Sequence, residues 1–395
     1  MAYYPEGFRA SAVHSGLKAN GKDDMALIAS DKPCQAAGVF TTNRVKAAPV
    51  IYDQEVLARP GGAVRAVVIN AGVANACTGE QGLADARQMA KETAERIGCA
   101  ADEVLVMSTG VIGVQLPMDV VSRGIEELAK TLRYDGWDEA AEAIMTTDTR
   151  PKLAGSTTEA GYSLIGMAKG AGMIAPNMAT MLAVVVTDAD VSSQALNKAL
   201  HIAANQSFNR VVIDGDMSTN DTLLALANGA SGVKISAGDA GFQKALTNIC
   251  TWLAQMIARD GEGVTKFVTL NVTGAATHEA ARTVAHAIAT SPLCKTAFYG
   301  GDPNWGRVVA AAGRSGVEVE PEKMALWLLD KAGEPAMQLF ARGTGCDYDE
   351  PAAIALMKTP EWGLRLDLGQ GGEAETVWTC DLSHDYVTIN GHYRT

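Results

Sequence analysis

The chain has 395 residues, of which 47% are hydrophobic and 20% charged, an ordinary composition for a globular protein. Its formal net charge of −12 argues against nucleic acid or an anionic membrane surface as the main partner, because both are bound through basic patches. No run of about 18 apolar residues and no apolar signal segment occurs, so we expect a protein that is neither exported nor membrane-spanning. The seven cysteines include no C-x-x-C pair, which predicts neither a disulfide framework nor a thiolate zinc site and fits a reducing cytoplasm.

Patterns of apolar residues predict the secondary structure in chain order. Glycine and proline signals predict strands joined by tight turns in the first part of the chain, with strands at 25–29 and 38–40. Further apolar or alternating runs predict strands at 65–69, 104–107, 162–168, 182–187, 211–213, 265–272 and 296–300. Amphipathic or capped stretches predict helices at about 80–97, 118–132, 137–144, 192–206, 222–228, 240–258, 277–290 and 308–312. The polar residues 152–160 predict a hairpin loop, and the mixture indicates the mixed α/β class.

A glycine-rich bend precedes the buried strand at 182–187. Its sequence is Lys169-Gly-Ala-Gly-Met-Ile-Ala-Pro-Asn-Met-Ala-Thr180. Gly170 and Gly172 allow backbone conformations closed to other residues, and Pro176 fixes its own φ, so Thr180 stands at the start of a strand behind a shaped loop. A threonine placed in this way can be a nucleophile, and cutting the bond before it would create an α-amine that serves as its base. An ordinary junction between a loop and a strand fits the same residues, so the segment alone leaves both interpretations open.

Two polar segments are candidates for contacts with a reacting group. The run S-T-G-V-I-G at 108–113 follows a predicted strand, and a loop there can aim backbone N–H groups at a developing oxyanion. By itself the run is a weak signal, and a plain turn is the simpler interpretation. The run T-T-D-T at 146–149 follows a predicted helix and by itself indicates a capping cluster, with a polar pocket wall as the alternative. Asn70 and Asn75, in the loop after the strand at 65–69, are interpreted as satisfying the loop backbone.

Single charged residues and one acidic run offer further candidates. Lys169 is either a solvated loop lysine or a cation suited to a substrate α-carboxylate. Glu262 lies in a glycine-flanked turn, where glutamates usually have no function. The run at 214–221 carries three carboxylates in eight residues, which invites a Mg²⁺ or Ca²⁺ interpretation. Its spacing does not match an EF-hand loop, so we interpret it as a structured turn at the start of a helix and predict no metal site.

The segment that ends at Thr180 resembles the self-cleavage and nucleophile segment of the ornithine acetyltransferase family. These arginine-biosynthesis enzymes move an acetyl group from N-acetylornithine to glutamate. The resemblance extends over nearly the whole chain and includes, in the same order, the motifs at 37–44, 70–79, 108–113, 146–149, 214–221, 302–307 and 393–395. Many separate motifs in the right order make this resemblance specific, although no single motif does.

The resemblance implies a fold and a set of site residues. The expected fold is mixed α/β, with two mixed-sheet lobes layered with helices in an αββα manner, the larger resembling N-terminal-nucleophile hydrolases. Self-cleavage between Ala179 and Thr180 would give an α chain of residues 1–179 and a β chain of residues 180–395. Thr180 is the implied nucleophile, and Thr109 and Gly110 the oxyanion donors. The implied substrate-binding residues are Thr146, Lys169, Thr180, Glu262, Asn390 and Thr395.

The resemblance also implies the reaction and the partners. N-acetylornithine would acetylate Thr180 and glutamate would then take the acetyl group, with acetyl-coenzyme A as a further donor in some members of the family. Amide, ester and amide follow one another without a large change in bond energy, so we expect no cofactor. A heterotetramer of two α and two β chains is expected. An amidohydrolase or aminopeptidase that uses the same threonine, and an uncut metabolite-binding protein, are the alternative hypotheses.

Overall fold

The computed structural model describes residues 4–59, 61–175 and 181–392, which form two compact units. Within the described residues, the first unit contains the chain up to Asn209 together with Asp216–Ile257, and the second contains Arg210–Gly215 together with the chain from Ala258 onward. Both units combine a sheet with helices, so the mixed α/β class is confirmed. The chain boundary between residues 179 and 180 lies outside the described residues and stays a prediction.

The strands and helices of the described residues have the following bounds. The strands are β1 (Phe8–Val13), β2 (Met25–Phe40), β3 (Val64–Val73), β4 (Val104–Val111), β5 (Lys152–Thr157), β6 (Ser163–Lys169), β7 (Leu182–Thr187), β8 (Asp190–Val191), β9 (Val211–Val212), β10 (Thr222–Ala227), β11 (Lys234–Ile235), β12 (Phe267–Ala275), β13 (Ala325–Leu329), β14 (Pro335–Ala341), β15 (Thr344–Gly345), β16 (Glu361–Asp367) and β17 (Glu373–Cys380). The helices are α1 (Ala48–Leu57), α2 (Gly79–Ile97), α3 (Met118–Lys130), α4 (Trp137–Ala143), α5 (Ser193–Gln206), α6 (Ala240–Arg259), α7 (His278–Ala289), α8 (Pro292–Gly300), α9 (Trp305–Gly313), α10 (Glu350–Met357) and α11 (His384–His392). None of the helices formed by these residues is both long and apolar enough to span a bilayer.

The main sheet of the first unit has the strand order β4-β3-β2-β10-β7-β6-β5, and β1 also pairs with β2. The pairs β3–β4 and β7–β10 are parallel, and the other neighbours are antiparallel. Every residue of β7 and β10 is buried, as expected for strands whose two faces are both covered. The large core side chains of this unit, such as Phe8 and Met25, are fully buried, and each such side chain contributes about 1.5–3 kcal/mol by leaving water.

Local signals explain why several helices lie where the sequence predicts them. Helix α2 ends at Gly98, whose φ of 76° is the left-handed conformation that glycine adopts most easily. The hydroxyl of Thr277 accepts a hydrogen bond from the backbone N–H of Ala280 and caps α7. The predictions of helices near 80–97, 118–132, 137–144, 240–258 and 277–290 are therefore confirmed.

The second unit is built on a sheet with the order β15-β14-β13-β16-β12-β17-β9. Strand β12 lies inside this sheet and pairs in parallel with β16 and antiparallel with β17. Its core contains buried side chains from the sheet and from helices α7 to α10, including Ile288, Phe298 and Leu366. The strand predicted at 265–272 is confirmed, with β12 running three residues farther than expected.

Two predictions assigned the wrong type of element. The helix predicted at 222–228 is strand β10, because this leucine- and alanine-rich segment pairs with both β2 and β7, and this pairing overrides its helix propensity. The strand predicted at 296–300 is the second half of helix α8. The missed signals are Ser291, whose hydroxyl caps the helix, and Pro292 at its first position, both of which mark a helix start.

Other predictions assigned the wrong bounds. The expected hairpin loop at 152–160 contains β5, an edge strand on which polar side chains are tolerated. The two strands expected at 25–29 and 38–40 form the single strand β2, which passes Pro33 where the chain is exposed. Strand β4 continues through Ser108, Thr109 and Gly110, which were expected to form a loop. Helix α9 begins at Trp305 instead of position 308, because the Asn304 side chain caps it.

Candidate active site

Lys169 brings three of the predicted site residues together. It is the last residue of β6, pairs across the sheet with Leu182 of β7, and is only 2% exposed. Its Nζ donates hydrogen bonds to the hydroxyls of Thr146, at 2.7 Å, and of Thr109, at 3.1 Å. The interpretation of Lys169 as a solvated loop lysine is therefore wrong. The polar-wall interpretation of the run at 146–149 is supported, because Thr146 faces a buried cation.

Gly110 lies where two backbones touch. Its φ is +131°, and a Cβ atom at this position would lie 2.2 Å from the carbonyl carbon of Gly72 on the neighbouring strand β3. Only glycine can occupy this position without moving one of the strands. The pairing of β3 with β4 becomes irregular next to it, between Gly72 and Val73. Such an irregularity re-aims the backbone groups of a strand, as an oxyanion-binding segment requires.

The hydroxyl of Thr109 can donate a hydrogen bond to a ligand. A threonine hydroxyl has one hydrogen and two acceptor lone pairs, and Lys169 uses one of the lone pairs. No acceptor for the Thr109 hydrogen is found among residues 4–59, 61–175 and 181–392. The adjacent ammonium group polarises this hydroxyl and adds positive potential. The arrangement suits a negative charge that develops next to Thr109 in a weakly solvated site.

Asp148 is the carboxylate at the centre of this region. Its Oδ1 accepts hydrogen bonds from Lys152 Nζ and from the Gly170 N–H, both at 2.6 Å, and its Oδ2 accepts the Thr146 N–H at 3.0 Å. Burial opposes ionisation of Asp148, but the positive charges of Lys152 and Lys169 outweigh it and lower its pKa to about 2. Asp148 is therefore ionised and fixes the backbone on both sides of the Lys169 site.

Lys152 was missed by sequence reasoning, which assigned it to a polar loop. It is the first residue of β5, and neither its side chain nor that of Asp148 is accessible to solvent. The two charges lie four residues apart in the chain and 2.6 Å apart in space. No sequence signal distinguishes this pair from the exposed pairs of the same spacing, because its burial depends on the packing of β5 against β6 and α4.

The run at 214–221 contains two residues that hold neighbouring segments of the first unit. Asn220 Nδ2 donates to the carbonyl oxygens of Ala74, at 2.6 Å, and Ser108, at 2.8 Å. Asp221 Oδ1 accepts the N–H of Met181 at 3.0 Å. This run was interpreted as the start of a helix, whereas it leads into strand β10. No group of three or more His, Cys, Asp or Glu side chains that would suit a metal ion is found in the part of the chain that the structure describes.

The loop asparagines at the end of β3 have structural partners, as the sequence predicts. Asn70 accepts the Ser108 hydroxyl at 2.6 Å and donates to the Val73 carbonyl oxygen at 2.8 Å. Asn75 donates to the carbonyl oxygen of Gly82 at 2.8 Å and accepts the Thr78 hydroxyl. Asn70 therefore ties the end of β3 to Ser108 on β4, and Asn75 holds the loop that leads into α2.

A cavity of about 470 Å³ opens beside Thr146 and Asp148, and Lys18 contributes to its wall. Lys18 Nζ donates to the carbonyl oxygens of Asp23 and Ala143, each at 2.7 Å. Partial burial lowers the pKa of Lys18 to about 8, and the charge of Lys169 acts in the same direction. Sequence reasoning did not identify Lys18, because it lies far from the motifs in the chain.

Two predicted substrate-binding residues of the second unit also meet each other. Glu262 is only 8% exposed, so it is not a solvated turn residue. Its Oε2 accepts a hydrogen bond from Asn390 Nδ2 at 2.7 Å, and the same nitrogen donates to the Tyr386 carbonyl oxygen at 3.1 Å. The next residue, Gly263, has a φ of +68° and packs so tightly against the start of α11 that a Cβ would lie 2.5 Å from Tyr386 N.

Some predicted residues lie outside the part of the chain that the structure describes. These are Ala179 and Thr180 at the predicted cleavage site, the preceding Pro176, and Thr395 at the C-terminus. Their roles stay predictions. The described residues place Met181, which directly follows Thr180 in the chain, beside Asp221 at the start of β7.

Comparisons with known proteins show where related sequences occur. The sequence profile of the ArgJ family matches residues 9–395. The arginine biosynthesis bifunctional protein ArgJ of Thermotoga neapolitana is 48% identical over 400 residues and covers 100% of both chains. The protein of the same name from Geobacter sulfurreducens is 49% identical over 397 residues and covers 99% of both chains. A solved ornithine acetyltransferase of Mycobacterium tuberculosis, complexed with ornithine, is 43% identical, covers 46% of this chain and 98% of that chain, and has a TM-score of 0.43.

Proposed function

The chain belongs to the ArgJ family, and from this premise we propose that it is a self-processing acetyltransferase that moves an acetyl group from N-acetylornithine to glutamate. The relatives from Thermotoga neapolitana and Geobacter sulfurreducens align with it from end to end and are named for arginine biosynthesis. The motifs that resemble the ornithine acetyltransferase family are spread over the same length of chain. The proposed reaction is therefore assigned to the whole chain.

The observation that carries the proposal is the buried contact of Lys169 with Thr109 and Thr146. A cation that donates to two hydroxyls, one of them next to Gly110, provides fixed positive potential and a polarised O–H donor in one place. Acyl transfer through a tetrahedral intermediate needs such fixed donors where the oxyanion forms. Because Asp148 and Lys152 hold this arrangement through contacts within the protein itself, little reorganisation is required during the reaction.

The first reaction is the cut between Ala179 and Thr180. The Oγ of Thr180 attacks the carbonyl carbon of Ala179, the C–N bond breaks, and the departing nitrogen takes up the proton that the hydroxyl loses. Water then hydrolyses the resulting ester and frees two chains, of residues 1–179 and 180–395. The new α-amine of Thr180 has an ordinary pKa of roughly 7.7–8.0, so a useful fraction is neutral near pH 7 and can act as a base.

The second reaction is the transfer itself. The Thr180 hydroxyl attacks the acetyl group of N-acetylornithine, and ornithine leaves with the proton that the hydroxyl gives up. The α-amine of glutamate then attacks the acetyl ester, which returns the hydroxyl and yields N-acetylglutamate. Thr109 and Gly110 stabilise the oxyanion in both steps, and Lys169 and Thr146 bind the α-carboxylate that both substrates share. Glu262, Asn390 and Thr395 contact the distal end of the substrate.

Three further features belong to the same proposal. Acetyl-coenzyme A serves as a second acetyl donor, which would account for the word bifunctional in the names of the relatives. The processed chains assemble as two α and two β chains. All seven cysteines lie in the described residues and are free thiols, and we place the enzyme in the cytoplasm, where thiols stay reduced.

The test is the chain composition of the purified protein. We expect two fragments on a denaturing gel, with the N-terminal sequence of the C-terminal fragment beginning Thr180-Met-Leu-Ala. Thr180→Ala should remain one full-length chain without transferase activity, whereas Thr180→Ser, which keeps a hydroxyl, should still be cut. An uncut wild-type protein with full activity would disprove the mechanism.

The need for glutamate as the acetyl acceptor distinguishes acetyl transfer from simple hydrolysis. The processed enzyme should release ornithine from N-acetylornithine rapidly when glutamate is present and, without glutamate, should stop after one acetyl group per site. Continued release at the same rate without glutamate would identify an amidohydrolase instead.

A further inference from the structure

The dipeptide Asn220-Asp221 contacts the two segments that carry the proposed chemistry. Asn220 donates to the carbonyl oxygen of Ser108, the residue directly before Thr109, at 2.8 Å. Asp221 accepts the N–H of Met181, the residue directly after Thr180, at 3.0 Å. Two adjacent side chains thus contact two distant segments. One contact is to the residue before the proposed oxyanion donor Thr109, and the other is to the residue after the proposed nucleophile Thr180.

Both contacts are buried and reinforced by the backbone. Asp221 is inaccessible to solvent, and Asn220 is only 7% exposed. The N–H of Thr222 donates to the Met181 carbonyl oxygen at 3.1 Å, and the N–H of Thr41 donates to the Asp221 carbonyl oxygen at 2.9 Å. Met181 is therefore held through its N–H by a side chain and through its carbonyl group by the backbone. This double attachment fixes the chain at the start of β7 more firmly than strand pairing alone.

We propose that Asp221 is a positioning residue for the cut at Thr180, and that Asn220 and Asp221 together set the spacing between the nucleophile segment and the oxyanion segment. The inference rests on the proposed function. It gives Asn220 and Asp221 a role in the reaction, whereas the sequence indicates only a structured turn for the run at 214–221.

The surroundings of Asp221 favour its neutral form. Burial raises the pKa of Asp221 well above its ordinary value, and the hydrogen bonds that it accepts and the charge of Lys169 compensate only in part. Its Oδ2 atom has no hydrogen-bond partner within residues 4–59, 61–175 and 181–392. In its neutral form, a carboxylic acid that accepts the Met181 N–H resembles an asparagine side chain in shape and in hydrogen bonding. Asparagine should therefore replace it, whereas alanine should not.

The experiment follows the rate of cutting in newly purified precursor on denaturing gels. Asp221→Ala should slow the appearance of the two fragments by about 10²-fold, the typical cost of a small misplacement of reacting groups. Asp221→Asn should be cut within a few-fold of the wild-type rate and with the same pH profile. The rescue by asparagine is the result that a proton-transfer role would not give.

Asp53 offers a matched control for the loss of a buried carboxyl group. It is also inaccessible to solvent, it accepts a strand N–H, from Val106 at 2.8 Å, and its Oδ2 atom also lacks a partner in the described part of the chain. Asp53→Ala should lower the melting temperature about as much as Asp221→Ala without slowing the cut to the same degree.

The outcomes separate the inference from the proposed function. A wild-type protein that is never cut would remove the proposed function itself. A normally cut wild type with a normally cut Asp221→Ala would remove only the positioning role. Equal slowing in Asp53→Ala and Asp221→Ala would reduce Asp221 to a general contribution to folding, and an uncut Asp221→Asn would replace positioning with proton transfer.

Discussion

The two sets of predicted substrate-binding residues are held in different ways. In the first unit, Lys169 is the last residue of β6, inside the main sheet, and its side chain contacts Thr146 in the segment between α4 and β5. Both residues lie beside the fully buried pair of Asp148 and Lys152. In the second unit, Glu262 lies in a turn between two glycines and is bound by Asn390, on a helix in which no residue is buried. The first set is rigid because its charges are enclosed by the core. The second set rests on a helix with little buried surface.

This difference matches what the two substrates have in common. N-acetylornithine and glutamate both carry an α-carboxylate, but one ends in an ammonium group and the other in a carboxylate. A fixed cation suits the group that never changes, because a preorganised charge gains most when its partner is always the same. An amide on a helix without buried residues, such as Asn390, suits the end that changes sign, because regions with few buried contacts rearrange at low cost.

The largest expected effect tests the rigidity of the first set. Asp148→Asn removes the negative charge that compensates Lys152, and leaving a buried charge without its partner costs about 3–5 kcal/mol. The free energy of unfolding, measured by denaturant titration, should fall by about this amount. A variant as stable as the wild type would show that the cluster is not rigid through its charges.

The exposed pair of Lys130 and Glu126 is the control for this substitution. It has the same spacing of four residues, with its atoms 3.0 Å apart, but both side chains are open to solvent. Glu126→Gln should therefore leave the free energy of unfolding unchanged within error.

The same substitution also has a defined pH dependence. The pKa of Asp148 is about 2 in the folded protein, below its ordinary value of 3.8. The stabilisation from this group is therefore fully present above about pH 4 and is lost as the pH falls toward 2. The stability difference between wild type and Asp148→Asn should be constant at neutral pH and shrink in acid. An equal difference at both ends of this range would contradict the pKa assignment.

The next effect tests whether the rigid set serves both reactions. Thr109→Ala should slow both the cut and the turnover by about 10²–10³-fold, the usual loss for one oxyanion donor. Thr93→Ala is the matched control, because the Thr93 hydroxyl is also buried but has no hydrogen-bond partner among the described residues. Unchanged turnover in folded Thr109→Ala would remove Thr109 from the active site.

The smallest effect sharpens the difference between the two sets. Glu262→Gln should slow deacetylation of N-acetylornithine about 10-fold more than acetylation of glutamate. Only the first of these steps brings an ammonium group to the Glu262 carboxylate, and a hydrogen bond between charged groups contributes about 1.5–3 kcal/mol. Lys169→Ala should impair both half-reactions. Single-turnover measurement of each half-reaction decides between these outcomes.

A carboxylate of the second unit that makes a structural ion pair provides the comparison for Glu262. Glu361 is bound by Arg259 at 3.0 Å, so Glu361→Gln should change both half-reactions to the same extent, if at all. If Glu262→Gln lowers the rates of the two half-reactions equally, Glu262 does not bind the distal ammonium group.

Secondary structure could be predicted where its cause is local. The bounds of α2 follow from amphipathic spacing and from Gly98, and the strand at β7 follows from an unbroken apolar run. The prediction is wrong where neighbouring strands determine the secondary structure. The segment of β10 is a strand only because β2 and β7 lie on either side of it. The prediction is also wrong at α8, although Ser291 and Pro292 there are local signals of a helix start.

The candidate site also has features that the sequence determines and features that only the tertiary structure determines. Sequence by itself determined the family, through many motifs in order, and with it the roles expected of Thr109, Lys169 and Thr180. Only the tertiary structure decided that Lys169 is buried against two hydroxyls, that Asp148 neutralises Lys152, and that Asp221 holds Met181. These contacts join residues that are distant in the chain or indistinguishable from exposed pairs. Their strength comes from exclusion of water, which is a property of the packed core and leaves no mark on a short stretch of sequence.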